Sequence, residues 1–247
     1  MLNNLCAEHL KTRRTFLRKL IWIAPLIPLF HALLMIPFYF ISDAYNWWYI
    51  VMLPAAAALV PALMNRYESR KLHYGAVLSL PVSLRKAWHA KVALASAYVL
   101  CACAIHLMGV LAGKLLLHTE QTTAFSCLTL ITASAVLLLT TLWQIPLCLF
   151  LAKRFGMLAA AGINTVGGIL LGVMTSTAHF WWLCPYSYGA RLMIPILGIL
   201  PNGLMAESGN PLLAADVIFP GIVAALLLFV LLSLLTASRF SVQEMTK

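Results

Sequence analysis

Residues 213–237 read LAADVIFPGIVAALLLFVLLSLLTA, and Asp216, near their start, is the one charged residue among them. A helix of about 20 mostly apolar residues crosses the roughly 30 Å of hydrocarbon in a bilayer. Outward from this stretch, five others meet the same criterion. We therefore expect six transmembrane helices, at 20–41, 47–64, 92–113, 125–152, 157–181 and 213–237.

The composition of the whole chain supports a lipid environment. Of its 247 residues, 62% are hydrophobic and 10% are charged, and the mean hydropathy is +0.92. Water-soluble domains carry roughly 25% charged residues, and a compact soluble fold of this length cannot hide so much apolar surface. We expect a single all-α polytopic membrane domain that comprises residues 1–247.

Basic residues are concentrated in one set of connections. If both termini are cytoplasmic, the cytoplasmic segments hold 15 of the 17 Lys and Arg residues, and only Lys114 and Arg191 fall on the other side. Cytoplasmic loops of membrane proteins carry such an excess. The distribution predicts cytoplasmic N- and C-termini, and it explains the net charge of +10 without binding of nucleic acid.

Three segments lie outside the expected spans. Residues 1–19 separate apolar from basic side chains as an amphipathic helix on the inner leaflet does, and a plain anchor for the first span is the alternative. Residues 65–91 form the one sizeable cytoplasmic loop, where a soluble partner would bind. Residues 183–211 are apolar and contain four prolines, which predicts short helices that dip into the outer leaflet and pack on the spans.

The chain lacks the motifs of a membrane enzyme. It contains neither H-E-x-x-H nor G-x-x-x-x-G-K-[ST], so we expect neither a zinc protease site nor a phosphate-binding loop. The spacing of its cysteines fits neither a zinc site nor a disulfide framework, and we expect small buried residues. We expect no enzymatic activity and no metal or cofactor bound by this chain itself, and we consider an intramembrane enzyme the weakest alternative.

Polar and small residues inside the spans favour helix packing. His31, His106, Gln144 and Asn164 are expected to hold helices together, with a substrate-facing role as the alternative. Two G-x-x-x-G motifs, at 109–113 and 168–172, allow close helix contact, either within the chain or with a second membrane subunit. The pairs Trp47–Trp48 and Trp181–Trp182 are expected at the outer membrane interface, where indole rings are enriched.

The chain resembles a known family in its loop and in its outer segment. The loop contains Glu68, the run 75–80, Pro81-Val82-Ser83 and then Lys91. With six spans and an amphipathic N-terminus, this resembles the permease subunits of type-2 ABC exporters. The outer sequences PYSY at 185–188 and GILPNG at 198–203 are similar to the lantibiotic-immunity permeases of the epidermin and mutacin type.

This resemblance implies the type-2 ABC exporter permease fold and an assembly. A dimer of a separate ATPase would bind ATP and Mg²⁺, and a second permease subunit, identical or different, would complete the membrane part. The complex would expel a lantibiotic, a cationic amphipathic antimicrobial peptide, from the plasma membrane of a Gram-positive bacterium and so give self-immunity or resistance. Export of another lipophilic substrate and a non-transporting immunity protein are the alternatives.

The resemblance also assigns two sets of residues. The ATPase-coupling helix would include Glu68, Ser69, Arg70, Leu72, Tyr74, Leu80 and Pro81. The substrate-facing outer segment would include Tyr186, Tyr188, Arg191, Pro201 and Asn202.

Overall fold

The computed structural model describes residues 2–13, 15–35, 37–71 and 83–245. In these residues, six helical stretches are long and apolar enough to cross a membrane, which confirms the expected all-α architecture. They are span 1 (Leu17–Met35), span 2 (Pro37–Arg66), span 3 (Leu84–Leu117), span 4 (Cys127–Phe155), span 5 (Met157–Ser176) and span 6 (Ala215–Ser241).

Several spans consist of shorter helical pieces. Span 2 comprises a 3-10 helix (Pro37–Tyr39), a helix (Phe40–Trp47), a π-helix (Trp48–Met52) and most of a helix that continues past the span (Leu53–Lys71). Span 4 comprises Cys127–Thr141 and Gln144–Phe155, and span 5 comprises Met157–Gly167, a π-turn (Gly168–Gly172) and Val173–Ser176. Span 6 opens with a 3-10 turn (Ala215–Val217) and continues as Ile218–Met245.

Shorter elements flank the spans. They are the N-terminal helix (Leu2–Thr12), the bridging helix (Glu120–Ala124), the connecting helix (Ser187–Leu197) and two 3-10 turns (Trp181–Leu183 and Pro211–Leu213). The connecting helix lies in the apolar segment where short helices were expected, and Met193 and Ile194 are fully buried. Pro195 is tolerated inside it.

The junction of spans 1 and 2 differs from the prediction. The apolar pattern assigned residues up to Ile41 to the first span and began the second at Trp47, whereas the first helix ends at Met35 and the next begins at Pro37. Proline lacks the N–H that continues a helix and clashes with the preceding turn. The residues that were expected to connect the two spans therefore form a helix, Phe40–Trp47, and Ile41 and Ala44 in it are fully buried.

Charged residues separate toward opposite ends of the bundle. Spans 1, 3 and 5 end where spans 2, 4 and 6 begin, and the connections there contain four acidic and two basic residues. We call this the acidic end, and its charged residues are Asp43, Lys114, Glu120, Arg191, Glu207 and Asp216. The basic end carries the N-terminal helix, the start of span 3 and the turn between spans 4 and 5.

Phe240 of span 6 lies at the centre of a cluster at the basic end. Its ring is 4.8 Å from that of Trp88 between centroids, and Lys153 Nζ lies 4.0 Å from its centroid. Lys91 Nζ is 5.6 Å from the same ring. Cation–π contacts of this kind stabilise most where they are desolvated. Lys91, expected to open span 3, is instead buried inside a helix that begins at Leu84.

The N-terminal helix ends at Thr12, short of the predicted residue 19. It turns a polar face toward span 3, because Thr12 Oγ1 and the Tyr98 hydroxyl share a hydrogen bond of 2.6 Å. His9 Nδ1 lies 3.0 Å from the same hydroxyl, and Glu8 is buried. Leu10 is exposed on another face. The polar contacts thus fix this helix to the bundle.

Both G-x-x-x-G motifs pack within the chain. A Cβ atom on Gly109 would overlap the Leu29 side chain, and one on Gly113 would overlap the Phe40 ring. Gly168 and Gly172 lie against Pro54 and Tyr186 in the same way. Of the two roles that the motifs allowed, the structure uses them for contacts between its own helices.

Two expectations about buried side chains need correction. All six cysteines are free, but only Cys103 and Cys148 are buried. Trp48 was expected at the membrane interface and is instead 1% exposed, whereas Trp47 is 40% exposed. Consecutive residues of a helix point in directions about 100° apart, so one of two adjacent indoles faces the bundle.

Candidate functional site

A cleft of about 790 Å³ opens at the acidic end, between the start of span 2 and the loop that follows the connecting helix. Its walls include Tyr39, Ser42, Asp43, Asn46, Trp47 and Asn202. Pockets that bind drug-sized ligands measure roughly 300–1,000 Å³. The cleft is therefore large enough for a ligand, and it combines aromatic surface with a carboxylate.

A second cavity of about 450 Å³ adjoins the cleft. It is lined by Phe38, Glu120, Gln121 and Phe125, and it shares Tyr39 and Met205 with the first cavity. The shared wall makes the two cavities neighbouring parts of one surface. We call the two cavities together the acidic groove.

Gln121 of the bridging helix fixes the two parts of the groove to each other. Its Oε1 accepts hydrogen bonds from the backbone N–H groups of Ile41 at 3.0 Å and Ser42 at 3.3 Å. Its Nε2 donates to Ser42 Oγ at 2.8 Å. The first N–H groups of a helix have no partner in that helix, and here a side chain from another element supplies one.

The bridging helix is itself held in place at its start and from span 3. Thr119 caps its N-terminus by accepting a hydrogen bond from the Thr122 N–H at 3.2 Å, as an N-cap residue does. Lys114 Nζ donates to the Thr122 carbonyl. Glu120, in the first turn, lies where a helix dipole favours a negative charge.

The opposite wall of the cleft is a tight turn in the sequence Leu200-Pro201-Asn202-Gly203. The Gly203 N–H donates to the Leu200 carbonyl at 2.9 Å, and the Leu200 N–H donates to the Leu204 carbonyl at 2.8 Å. Gly203 has a φ of 85°, a conformation that glycine adopts without strain. Proline after the first residue and glycine at the fourth are typical of such a turn.

Span 2 holds this turn through two side chains. Asn46 Nδ2 donates to the Pro201 carbonyl at 3.2 Å and to the Tyr49 hydroxyl at 2.8 Å. The Tyr49 hydroxyl donates to the Leu200 carbonyl at 3.4 Å. Hydrogen bonds from span 2 therefore hold this wall of the cleft, together with the burial of Pro201 and of the neighbouring Ile199.

Asp43 is paired with a histidine from span 1. His31 Nδ1 lies 2.7 Å from Asp43 Oδ2, and the His31 ring is 5.0 Å from that of Trp47 between centroids. The sequence assigned His31 to helix packing and did not single out Asp43, which fell in an expected connection. A helix that starts at Pro37 contains Asp43. Recognising Pro37 as a helix start would therefore have placed Asp43 inside a span, where ionisable residues are by default functional candidates.

The groove carries negative charge on its surface. Among the described residues that line its two cavities, the charged ones are Asp43 and Glu120. The basic side chain of Lys114 is engaged behind the bridging helix, at the Thr122 carbonyl. A concave surface with one sign of charge and apolar walls concentrates ligands of the opposite sign.

The five residues expected to face a substrate lie in two places. Asn202 lines the cleft, and the carbonyl of Pro201 accepts the hydrogen bond from Asn46. The other three, Tyr186, Tyr188 and Arg191, lie in or directly before the connecting helix and do not line the groove. Their role in substrate contact stays a prediction.

Those three side chains make internal contacts. The Tyr188 hydroxyl donates to the Trp182 carbonyl at 2.8 Å. Arg191 Nη1 donates to the Leu212 carbonyl at 2.8 Å; burial lowers the pKa of this guanidinium, and the Asp216 carboxylate opposes that effect. Tyr186 packs edge-on against Trp143, and burial raises its pKa to about 12.

The predicted ATPase-coupling residues fall largely outside the described part of the chain. Leu72, Tyr74, Leu80 and Pro81 lie outside the described residues. The backbone of Glu68, Ser69 and Arg70 continues the helix Leu53–Lys71, and their side chains lie outside the described residues. The coupling role stays a prediction.

The other polar residues of the spans hold helices together, as expected. His106 Nε2 donates to the Ala44 carbonyl at 3.2 Å, and its ring stacks on Trp48 at 4.8 Å. Asn164 Nδ2 donates to Gln144 Oε1 and to the Pro54 carbonyl, both at 2.8 Å. Within the described residues there is no group of three or more His, Cys, Asp or Glu side chains that could hold a metal ion.

Comparisons of this chain with protein-family models, with curated proteins and with solved structures give no match. The chemistry of the groove therefore carries the functional argument.

Proposed function

We propose that this chain is the membrane permease subunit of an ATP-driven exporter that expels a cationic amphipathic antimicrobial peptide of the lantibiotic class from the cell membrane. The observation that carries the proposal is the acidic groove. Its carboxylates suit the cationic groups of such a peptide, and its aromatic walls suit the apolar groups.

The charge distribution supports the orientation that this function needs. The basic end carries most of the Lys and Arg residues, and such ends face the cytoplasm. The groove then opens on the outer side, where a secreted peptide meets the membrane. Tyr39 and Trp47 in its walls are the kind of amphipathic rings that reside at that interface.

An outer-leaflet peptide would enter the groove from the side or from the medium. Its cationic groups would lose part of their hydration water and form ion pairs with Asp43 and Glu120. Its apolar side chains would contact Tyr39, Trp47 and Phe125. Because hydrogen bonds from span 2 hold the wall formed by residues 200–204, a shift of span 2 would move this wall and open or close the groove. Closing the groove would release the peptide to the medium.

The energy would come from another polypeptide. A dimer of a separate ATPase would bind at the cytoplasmic loop 65–91, and a second permease subunit would complete the membrane part. Helix movements at the basic end would reach the groove along span 2, which connects residue 66 to residue 37 as one helical stretch.

Growth inhibition by epidermin in bacteria that carry this chain and its ATPase partner tests the function. The double variant Asp43→Asn/Glu120→Gln should lower the inhibitory concentration about tenfold toward that of cells without the chain. Glu207→Gln is the matched control, since it removes a carboxylate of the acidic end that does not line the groove. Unchanged protection by the double variant would refute the role of the groove.

The cytoplasmic loop 65–91 provides a second test. Glu68→Gln, or deletion of residues 69–80, should abolish peptide-stimulated ATP hydrolysis by the complex in lipid vesicles. If instead protection survives an inactive ATPase, the chain acts as a non-transporting immunity protein that binds the peptide in the same groove. Stimulated hydrolysis that persists in both loop variants would reject the exporter assignment.

A further inference from the structure

We infer that the acidic groove is a two-site receptor that recognises two cationic groups of one amphipathic peptide, with Asp43 binding the first group and Glu120 the second. The inference deepens the proposed function and rests on it only for the peptide nature of the ligand. Binding to the groove is measurable without transport, so the two can fail separately.

The layout of the groove sets two sites rather than one. Each cavity contains one carboxylate, and the cavities meet at Tyr39 and Met205. A ligand that occupies both cavities must therefore pass these two side chains with an apolar portion. A compact ion, or a lipid headgroup with one cationic centre, would fill one cavity only.

Gln121 determines the spacing of the two sites. The side chains of Ser42 and Gln121 are hydrogen-bonded at 2.8 Å. Because Asp43 follows Ser42 and Glu120 precedes Gln121 in sequence, this bond links the two elements that carry the carboxylates. Two more hydrogen bonds from the backbone of residues 41 and 42 to Gln121 Oε1 fix the angle between the elements. Gln121 is thus a positioning residue, because it acts through the carboxylates beside it.

The two carboxylates differ in the affinity expected for a cationic group. The Asp43 side chain is 14% exposed and has aromatic neighbours, so a charge beside it is poorly screened, and the Trp47 face adds a cation–π contact. Glu120 is exposed on the bridging helix, where an ion pair contributes little. Asp43 therefore provides the main affinity, and Glu120 provides the discrimination between one and two charges.

His31 supports the stronger site without blocking it. It contacts Asp43 Oδ2, and a carboxylate has two oxygens with several acceptor positions. The carboxylate can then accept a second donor from the ligand. An ammonium group, with three donors on a flexible stem, suits such a position.

The test uses the full-length chain in nanodiscs of phosphatidylcholine and a set of synthetic peptides. The peptides are acetylated and amidated at their ends and contain two lysines separated by one to four leucines. Matched peptides replace either lysine, or both, by norleucine, so that the charge changes from two to one to zero. Calorimetric titration measures each affinity, and empty nanodiscs give the partition into lipid.

We expect the wild-type chain to bind the best two-lysine peptide about two- to fivefold more tightly than either one-lysine peptide, as expected for an exposed charge pair. Glu120→Gln should abolish this preference and leave the one-lysine affinity unchanged. Asp43→Asn should weaken both kinds of peptide roughly tenfold or more, because the less exposed carboxylate is the common anchor.

Gln121→Ala separates positioning from folding. It should lower the preference for two lysines, or move the optimum to another leucine spacing, while the one-lysine affinity stays constant. A variant that was merely unfolded would lose both affinities together. Equal affinity of the one- and two-lysine peptides for the wild-type chain would overturn the inference, even if epidermin protection and its dependence on the ATPase persist. Glu207→Gln should match the wild type throughout.

Discussion

Two neighbouring tryptophans of span 2 each contact a histidine, and the two pairs have opposite environments. Trp48 stacks on His106 with the ring planes 9° apart and centroids 4.8 Å apart, and His106 is completely buried. Trp47 lies 5.0 Å from His31 between centroids, at 52°, at the edge of the cleft. One pair bonds to a backbone carbonyl, the other to a carboxylate.

In these two pairs, the partner and the exposure of the histidine, not its residue type, distinguish a packing role from a candidate binding role. His106 donates to a main-chain carbonyl in the interior, and its ring packs against Tyr45 and Trp48. The His31–Asp43 pair sits where water and ligands reach it. The first pair should therefore matter for stability and the second for binding.

The largest expected effect comes from the two indoles. Trp48→Ala should reduce the free energy of unfolding by about 3–5 kcal/mol, as removal of a large buried aromatic does. Trp47→Ala should cost less than about 1 kcal/mol, since the ring is half-exposed, yet it should weaken binding of the two-lysine peptide. Unfolding in a graded series of denaturing detergent measures the first, and calorimetry measures the second. Similar stability losses in both variants would erase the contrast.

A smaller effect is expected where span 3 meets span 1, one turn from His106. Gly109→Ala should lower stability by about 1–3 kcal/mol, because the added methyl group overlaps Leu29 and the well-packed core must shift. Gly162→Ala is the matched control, as a Cβ there meets nothing within 4 Å. It should be neutral or slightly stabilising, because alanine favours a helix over glycine. Detergent unfolding compares the two, and equal losses would show that the Gly109 contact is not tight.

The smallest effect concerns the wall of the cleft. Asn46→Ala removes the hydrogen bonds from Asn46 Nδ2 to Pro201 and to Tyr49, and it should cost about 0.5–1.5 kcal/mol. The turn at 200–204 should become more mobile, which amide hydrogen exchange at Gly203 and Leu204 would detect. Exchange at residues 160–164 of span 5 should stay unchanged. Loss of protection there as well would mean general loosening rather than release of the cleft wall.

The apolar runs predicted the number and order of the spans correctly, because a bilayer imposes its thickness on any crossing helix. Their boundaries were less accurate. Span 3 starts at Leu84 instead of Val92 and span 5 ends at Ser176 instead of Trp181, since a helix extends beyond, or stops within, the stretch that is apolar. Pro37 decided one boundary that hydropathy alone placed wrongly.

The candidate site was only partly visible in the sequence. The motif at 198–203 pointed to Asn202, which does line the cleft. Asp43, Glu120 and Gln121 were missed, because Asp43 lies 77 positions before Glu120 along the chain and no local pattern connects them. Arg191 and Tyr188 were predicted at the substrate surface; both are buried within the chain and make internal hydrogen bonds, and their role in substrate contact stays a prediction.

The amino-acid sequence was enough to predict six helical stretches long and apolar enough to cross a membrane and to show which connections are basic, because both depend on composition and on local runs of residues. The packing of the helices was needed to show which of two adjacent tryptophans faces the interior, which histidine meets a carboxylate, and that a glutamine from the bridging helix joins two cavities into one groove. Those outcomes depend on contacts between residues distant in the chain, and the direction of each side chain is set by how helices pack rather than by its neighbours in sequence.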